Sequence, residues 1–193
     1  MRWPVTTMRA HPLIDPRIDF VFGSVGPQLK QELRDFWSQH GATYRQQLRS
    51  FREQLAAPGG RVVAAKPPAS RQPAAISRDQ AGMINGIVFV GFRELEGSLG
   101  LGSHGYFQRM FILPESRGAK LANQLYRVFL DGFDQASTQR DHRARFLLAD
   151  NVNPGLKKAF MRRYFTRLGF RMLGGGQSGG EVWARPLPIR FEF

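Results

Sequence analysis

The chain has 193 residues, no cysteine, four histidines and a formal net charge of +13. That length suits one domain with a core able to fold without staples, and the lack of cysteine excludes disulfides, thiolate metal sites and cysteine nucleophiles. His11, His40, His104 and His142 make no H-x-x-x-H pair, no apolar run is long enough to span a bilayer, and Met1-Arg2-Trp3-Pro4 lacks an apolar leader core; the expectation is a metal-free, cytoplasmic protein with no membrane span.

Residues 1–17 read as an extended N-terminal segment. Asp19 to Val25 alternates and is aromatic-rich, which predicts a first strand. Pro27 opens a helix over Gln28 to His40, with Leu29, Leu33, Phe36 and Trp37 on one face, and Gly41 is placed to end it. A second helix, Thr43 to Leu55, carries Tyr44, Leu48, Phe51 and Leu55 at helical spacing until Pro58-Gly59-Gly60 stops it. Arg61 to Ala65 reads as a short strand. Lys66 to Gly82, with three prolines, reads as a loop insert (66–82).

Gly86 to Phe92 is the strongest strand signal, and a Gly-rich connection from Glu94 to His104 leads to a strand over Tyr106 to Leu113. The helix Ala119 to Phe133 sets Leu121, Leu125, Phe129 and Phe133 in one i, i+4 row. Phe146 to Ala149 reads as a buried strand. Pro154 opens a further helix, in which Leu156, Phe160, Tyr164 and Leu168 share a row. Phe170 to Leu173 and Glu181 to Arg185 form the last hairpin around the turn Gly174 to Gly180. The order is β-α-α-β-β-β-α-β-α-β-β: one α/β (α+β) domain over residues 1–193, on a mixed, mostly antiparallel sheet of about seven strands, with no internal repeat.

The stretch Met110-Phe111-Ile112-Leu113-Pro114-Glu115-Ser116-Arg117-Gly118-Ala119-Lys120-Leu121-Ala122 runs from a strand through a proline turn directly into a helix. A junction of this kind gathers unpaired N–H groups at the positive end of a helix dipole, a natural seat for a pyrophosphate. Gly118, Ala119 and Ala122 leave the backbone approachable.

This junction resembles the acyl-CoA-binding signature of the GNAT superfamily of N-acyltransferases. Arg117 and Ala122 fill the first and last positions, and Lys120 stands where a glycine is usual. Phe146-Leu147-Leu148-Ala149-Asp150-Asn151-Val152-Asn153-Pro154, followed by a helix and then Tyr164-Phe165-Thr166-Arg167-Leu168-Gly169-Phe170-Arg171, is similar to the superfamily's later strand, Asn-containing loop and Leu-Gly-Phe turn. The two regions cover Tyr106 to Arg171; earlier residues agree only in element order.

The resemblance implies a single GNAT domain that transfers an acyl group directly from a thioester to a primary amine. The cosubstrate would be acetyl-CoA or a longer acyl-CoA, with an acyl carrier protein thioester as another donor. The strand Tyr106 to Leu113 would part from the strand Phe146 to Ala149, and the donor arm would lie in the gap. Met110, Phe111, Ile112 and Leu113 would pair with its amides, a backbone N–H near Phe111 or Ile112 would face the thioester oxygen, and Arg117 to Ala122 with Asn153 would complete the donor site.

Many relatives place a glutamate base where this chain has Gln108, which cannot accept a proton at neutral pH. His104, Glu94, Glu96 and Asp150 are the alternatives; Asp150 lies at the end of its strand, close to the expected gap, and His104 on the approach to the strand Tyr106 to Leu113. The family's proton-donating tyrosine falls at Phe165, so Tyr164, one residue earlier, is the candidate acid and equally a core tyrosine. The Asn-Pro helix start also resembles the N-acyl amino acid synthase and acyl-homoserine-lactone synthase branches, which points to a fatty acyl donor and an amino acid or peptide acceptor.

Two other classes stay open. A catalytically inactive binding module for CoA or peptide would explain Gln108, Phe165 and Lys120, and an RNA-directed acyltransferase has the net charge in its favour. The basic surface also suits an acidic acyl carrier protein. A monomer and a homodimer are both compatible with the sequence.

Overall fold

A computed structural model describes residues 17–55, 62–63, 70–96, 100–177 and 179–188. The expected N-terminal segment lies outside them except for Arg17. Elements follow in the order β1 (Arg17–Phe20), α1 (Pro27–Glu53), β2 (Val62–Val63), β3 (Gln72–Arg78), β4 (Ile84–Glu94), β5 (His104–Ile112), α2 (Ala119–Gln135), β6 (Ala144–Asn151), α3 (Ala159–Arg167), β7 (Arg171–Gly176) and β8 (Glu181–Pro186). They build one α/β unit on a mixed eight-stranded sheet of order β1-β3-β4-β5-β6-β8-β7-β2. Among the described residues only β5–β6 and β2–β7 are parallel pairs.

Each helix face is dictated by its apolar row. Leu125, Tyr126, Phe129, Leu130 and Phe133 of α2 bury against Val88, Val90, Tyr106, Leu147 and Trp183 on one face of the sheet. Phe129 and Phe133 lose all solvent contact. On the other face, Leu33, Phe36 and Tyr44 of α1 pack on Ile87, Phe89 and Phe111. Trp37 joins this cluster edge-on to Phe89, with ring centroids 5.9 Å apart.

Three expectations are corrected. The two early helices are one: α1 runs through Gly41 for 27 residues. Gly41 costs such a helix ~1 kcal/mol relative to alanine, but Phe36, Trp37, Tyr44 and Leu48 on both sides of it pack on the same cluster. Continuous burial outweighs a weak residue.

The stretch 66–82 is not a loop throughout. Its residues 72–78 are β3, which lies between β1 and β4 and buries Ala74, Ala75, Ile76 and Ser77. Alanine, serine and proline are poor strand formers, so propensity hides it. Pro73 is tolerated because the ladder to β4 shifts register between Pro73 and Ala75. The Ser77 hydroxyl donates to Asn85 Oδ1 at 2.7 Å, which satisfies the polar side chain inside the sheet.

The helix expected from Pro154 is broken. Pro154–Lys157 is a 3-10 turn whose start is tied by Gly155 N–H to Asn153 Oδ1 at 2.9 Å, and Lys158 is extended before α3 begins. Leu156 therefore does not share a helix with Phe160, Tyr164 and Leu168. Phe165 takes the core position, Tyr164 is half-buried and Phe160 is exposed.

Candidate active site

β5 and β6 are paired only along their first halves. The parallel register runs from His104↔Ala144 to Gln108↔Ala149 and stops there. β5 continues from Arg109 to Ile112 on β4 alone, while β6 stays with β8 through Asp150 and Asn151. Beyond Gln108 the two strands therefore enclose a gap, and β5 turns towards it a backbone edge that no strand among the described residues pairs with.

Strand alternation says which groups face that gap. Leu113 N–H bonds Asn85 O on the β4 side at 2.9 Å. The main-chain groups of Phe111 then also point to β4, and those of Met110 and Ile112 point to the gap. The Ile112 carbonyl accepts from Arg117 Nε at 3.2 Å. Of the two backbone donors expected near the thioester, Ile112 keeps a suitable direction, Phe111 does not, and Met110 joins it.

The gap opens into a cleft of about 640 Å³. Tyr44, Gln47, Leu48 and Phe51 of α1 line one end; Ala122, Asn123 and Tyr126 of α2 line the other with Leu156, Phe160 and Tyr164. Because α1 and α2 lie on opposite faces of the sheet, the cleft passes through it where the strands part.

At its mouth, Pro114–Ser116 forms a 3-10 turn, Arg117 follows, and Gly118 is the extended N-cap of α2. The first backbone bond into the helix is Ala122 N–H to Gly118 O at 3.0 Å, so the preceding N–H groups of its first turn have no helical acceptor. A Cβ built on Gly118 meets nothing within 4 Å. Arg117 turns away from this helix start: its second guanidinium bond goes to Gln47 Oε1 at 2.7 Å, which fastens α1 to the end of β5.

Of the expected donor-site residues, Met110, Phe111, Ile112, Arg117, Gly118, Ala119, Ala122 and Asn153 line the cleft. Leu113, Lys120 and Leu121 do not. Leu113 is buried in the cluster under α1, and Lys120 is exposed on α2.

The acid–base candidates separate. His104 opens β5 opposite Ala144, four residues before the strands part, and its ring stacks on Phe92 with centroids 4.8 Å apart. It does not line the cleft. Glu94 pairs with it at the same end of the β4–β5 hairpin, and Glu96 lies just beyond. Asp150 and Tyr164 do line the cleft.

Asp150 follows the last β5–β6 rung. Its Oδ2 lies 3.6 Å from an Arg109 guanidinium nitrogen, and its Oδ1 is buried without a hydrogen-bond donor among the described residues. Gly176 and Gly180 give this carboxylate its room; a Cβ on either would come within 3.0 Å of Oδ1. Burial raises the carboxyl above the ordinary aspartate value, against the opposing pull of Arg109 and Arg93. Tyr164 donates its hydroxyl to Asn123 Oδ1 at 2.8 Å, and burial raises its phenol too.

Gln108 sits at the vertex. It is buried and donates through Nε2 to the Tyr126 hydroxyl at 3.0 Å, and Tyr126, itself buried at the cleft wall, is pushed well above the ordinary phenol range by that burial. The expected site residues do not include Asn123, which lines the cleft. Asn123 and Tyr126 follow Ala119 and Ala122 on one helical face, a polar interruption beside an otherwise apolar row. Among the described residues no group of three or more His, Cys, Asp or Glu is placed to hold a metal, and no helix is long and apolar enough to cross a membrane.

No family model matches the chain, and no curated protein does. Solved structures do. A GNAT family N-acetyltransferase from Escherichia coli, in complex with CoA, is similar over 93% of this chain and 86% of its own, at 16% identity and a TM-score of 0.47. An acetyltransferase of the GNAT family from Staphylococcus aureus Mu50 is similar over 90% of this chain and 100% of its own, at 12% identity and a TM-score of 0.43. A GNAT superfamily phosphinothricin acetyltransferase from Sinorhizobium meliloti, in complex with AcCoA, is similar over 58% of this chain at 14% identity and a TM-score of 0.39; the chain spans 60% of that protein.

Proposed function

We propose that the protein is a GNAT-type N-acyltransferase that moves an acyl group from a coenzyme A thioester to a primary amine. The observation that carries this reading is the parting of β5 from β6 after Gln108 and Ala149, directly above the open N-terminus of α2. An extended, amide-bearing arm fits along the free edge of β5 by strand addition, and a diphosphate fits the helix start. The pantetheine diphosphate of coenzyme A carries both.

In this reading the donor occupies the α2–α3 side of the cleft and the amine enters from the α1 side. Asp150, which shares its face of the sheet with Arg109, takes the proton as the amine nitrogen attacks the thioester carbon. The Met110 or Ile112 N–H holds the oxyanion. When the intermediate collapses, the carbon–sulfur bond breaks and Tyr164 delivers its proton to the thiolate, with Asn123 aligning the hydroxyl. A buried carboxylate with a raised pKa suits a base, and a phenol raised by burial stays protonated at neutral pH.

The test is thiol release from acetyl-, octanoyl- and palmitoyl-CoA, and from the matching acyl carrier protein thioesters, over a panel of primary amines. Amine-dependent release with at least one CoA donor is expected. Calorimetric binding of CoA with no release from any pair would instead support a binding module. The chain-length arms decide whether Leu156, Phe160 and Met161, on the donor's side of the cleft, serve a fatty acyl group, and the carrier-protein arm decides whether the basic surface recruits a carrier protein.

A further inference from the structure

Gln47 takes no part in the proton transfers, yet α1 brings it to the end of β5. Tyr44 is buried in the cluster beneath α1 and Leu48 packs against it, which fixes the turn of the helix and leaves Gln47 and Phe51 on the cleft. There the Gln47 Oε1 accepts from the Arg117 guanidinium at 2.7 Å, while Arg117 Nε donates to the Ile112 carbonyl at 3.2 Å. One guanidinium is thereby shared between a helix and a strand.

The Ile112 carbonyl belongs to the edge of β5 that turns to the gap, where strand addition would seat the amide-bearing arm of the donor. An arm amide that pairs with Ile112 has to displace Arg117 from it. Both acceptors that hold Arg117 are neutral, a side-chain amide and a backbone carbonyl. Arg117 is also the neighbour of Gly118, the N-cap of α2 at which the diphosphate would sit. A diphosphate offers the planar fork a bidentate fit and an opposite charge, which a single amide oxygen cannot. A carboxylate at position 47 would neutralise the guanidinium where it stands. Glutamine fixes its direction and leaves its charge for an anion.

We infer that Gln47 is a positioning residue of the donor site, one that holds Arg117 across the edge of β5 so that an arm bringing its own anion displaces it best. This rests on the acyltransferase reading and adds a selection to it. Coenzyme A draws Arg117 from Ile112 to its diphosphate. A pantetheine thioester without phosphate competes for Ile112 and gives the guanidinium nothing in exchange. Arg117 therefore acts twice in donor choice, in favour of a diphosphate and against an arm that lacks one. Gln47 acts on both kinds of donor alike, because it lowers apparent affinity in proportion to how often Arg117 occupies the edge.

The experiment measures coenzyme A affinity by calorimetry, and kcat/KM for a phosphate-free S-acylpantetheine by thiol release with the preferred amine. It compares the wild type, Gln47→Ala, Arg117→Ala and the double variant. In Gln47→Ala the Kd for coenzyme A should fall about two- to tenfold, the worth of one released hydrogen bond. Its kcat/KM for the pantetheine thioester should rise by a similar factor, through KM rather than kcat. Arg117→Ala should move the two donors in opposite directions, with weaker coenzyme A binding and a better pantetheine substrate. In that background Gln47→Ala should add nothing, since it acts through Arg117. A Gln47→Ala protein, folded by circular dichroism, that binds coenzyme A no more tightly than the wild type would make Gln47 a strut between α1 and β5. That result overturns the inference and leaves the acyltransferase reading standing. A gain that persists without Arg117, or a pantetheine thioester made worse by its removal, would overturn it as well. Should the wild type neither bind coenzyme A nor release thiol, the reading falls and the inference with it.

Discussion

The Tyr164 hydroxyl donates a 2.8 Å hydrogen bond to Oδ1 of Asn123 and so joins α3 to α2 across the wall of the cleft. In the proposed mechanism this phenol gives its proton to the leaving sulfur. Tyr164→Phe should lower kcat by ~10²-fold or more, the range of general acid–base groups, with little change in KM. The ring stays in place, so melting should move by no more than the loss of one partly exposed hydrogen bond. An unchanged kcat would make Tyr164 a strut between helices.

Asp150 offers a test in which activity and stability diverge. Its folded-state pKa is raised, mainly by burial, so the folded protein binds a proton more readily than the unfolded chain. Stability from this group is greatest when it is protonated. It is lost as pH rises from the ordinary aspartate value of ~3.9 through the higher folded value, and is flat above that. Asp150→Asn resembles the protonated form. Its melting temperature relative to the wild type should therefore climb across that window and be at least equal at neutral pH. Amine-dependent turnover should fall by ~10²-fold or more, and the acid limb of the kcat/KM profile should vanish. A variant that loses stability at neutral pH while keeping that limb would remove Asp150 from the role of base.

Gly118 separates ligand approach from fold. Its backbone is extended, with φ −171°, and a Cβ there has open space around it, so Gly118→Val should melt with the wild type. A branched side chain at the helix start would stand where the diphosphate has to come close. Donor KM should rise about tenfold or more, equivalent to ~1.4 kcal/mol of lost binding. Unchanged CoA affinity by calorimetry would put the phosphates elsewhere.

Gly132 makes the opposite case. It lies inside α2 against Phe20 of β1, and an added Cβ would fall far inside van der Waals contact with that ring. Gly132→Ala gains ~1 kcal/mol in helix propensity. It should nonetheless destabilise the protein, because forcing extra volume into a packed core costs ~1–3 kcal/mol. Denaturant midpoints would measure the difference, and a stabilised variant would mean that Phe20 yields freely.

Much of this architecture was legible in local pattern. The α2 row, the strands around Gly86 to Phe92 and Tyr106 to Leu113, and the proline turn into Gly118 all announce themselves through apolar period and small residues, because burial of one face and freedom of the backbone are local demands. What the tertiary structure decided depends on partners distant in sequence. β3 is a strand because β1 and β4 flank it, although Ala74, Ala75 and Ser77 have no strand preference of their own. α1 passes through Gly41 because one aromatic cluster receives both of its halves. Lys158 breaks the helix that the spacing of Leu156, Phe160 and Tyr164 suggested, and that break hands the core position to Phe165 and leaves Tyr164 on the cleft wall. The sequence puts Asp150 at the edge of its strand, close to the expected gap, and His104 on the approach to the neighbouring strand. The parallel register of β5 on β6 puts His104 at the closed end and Asp150 just past the last rung, among arginines from other strands. Sequence determines which faces are buried and where the backbone is free; only the register between strands determines which polar side chains meet.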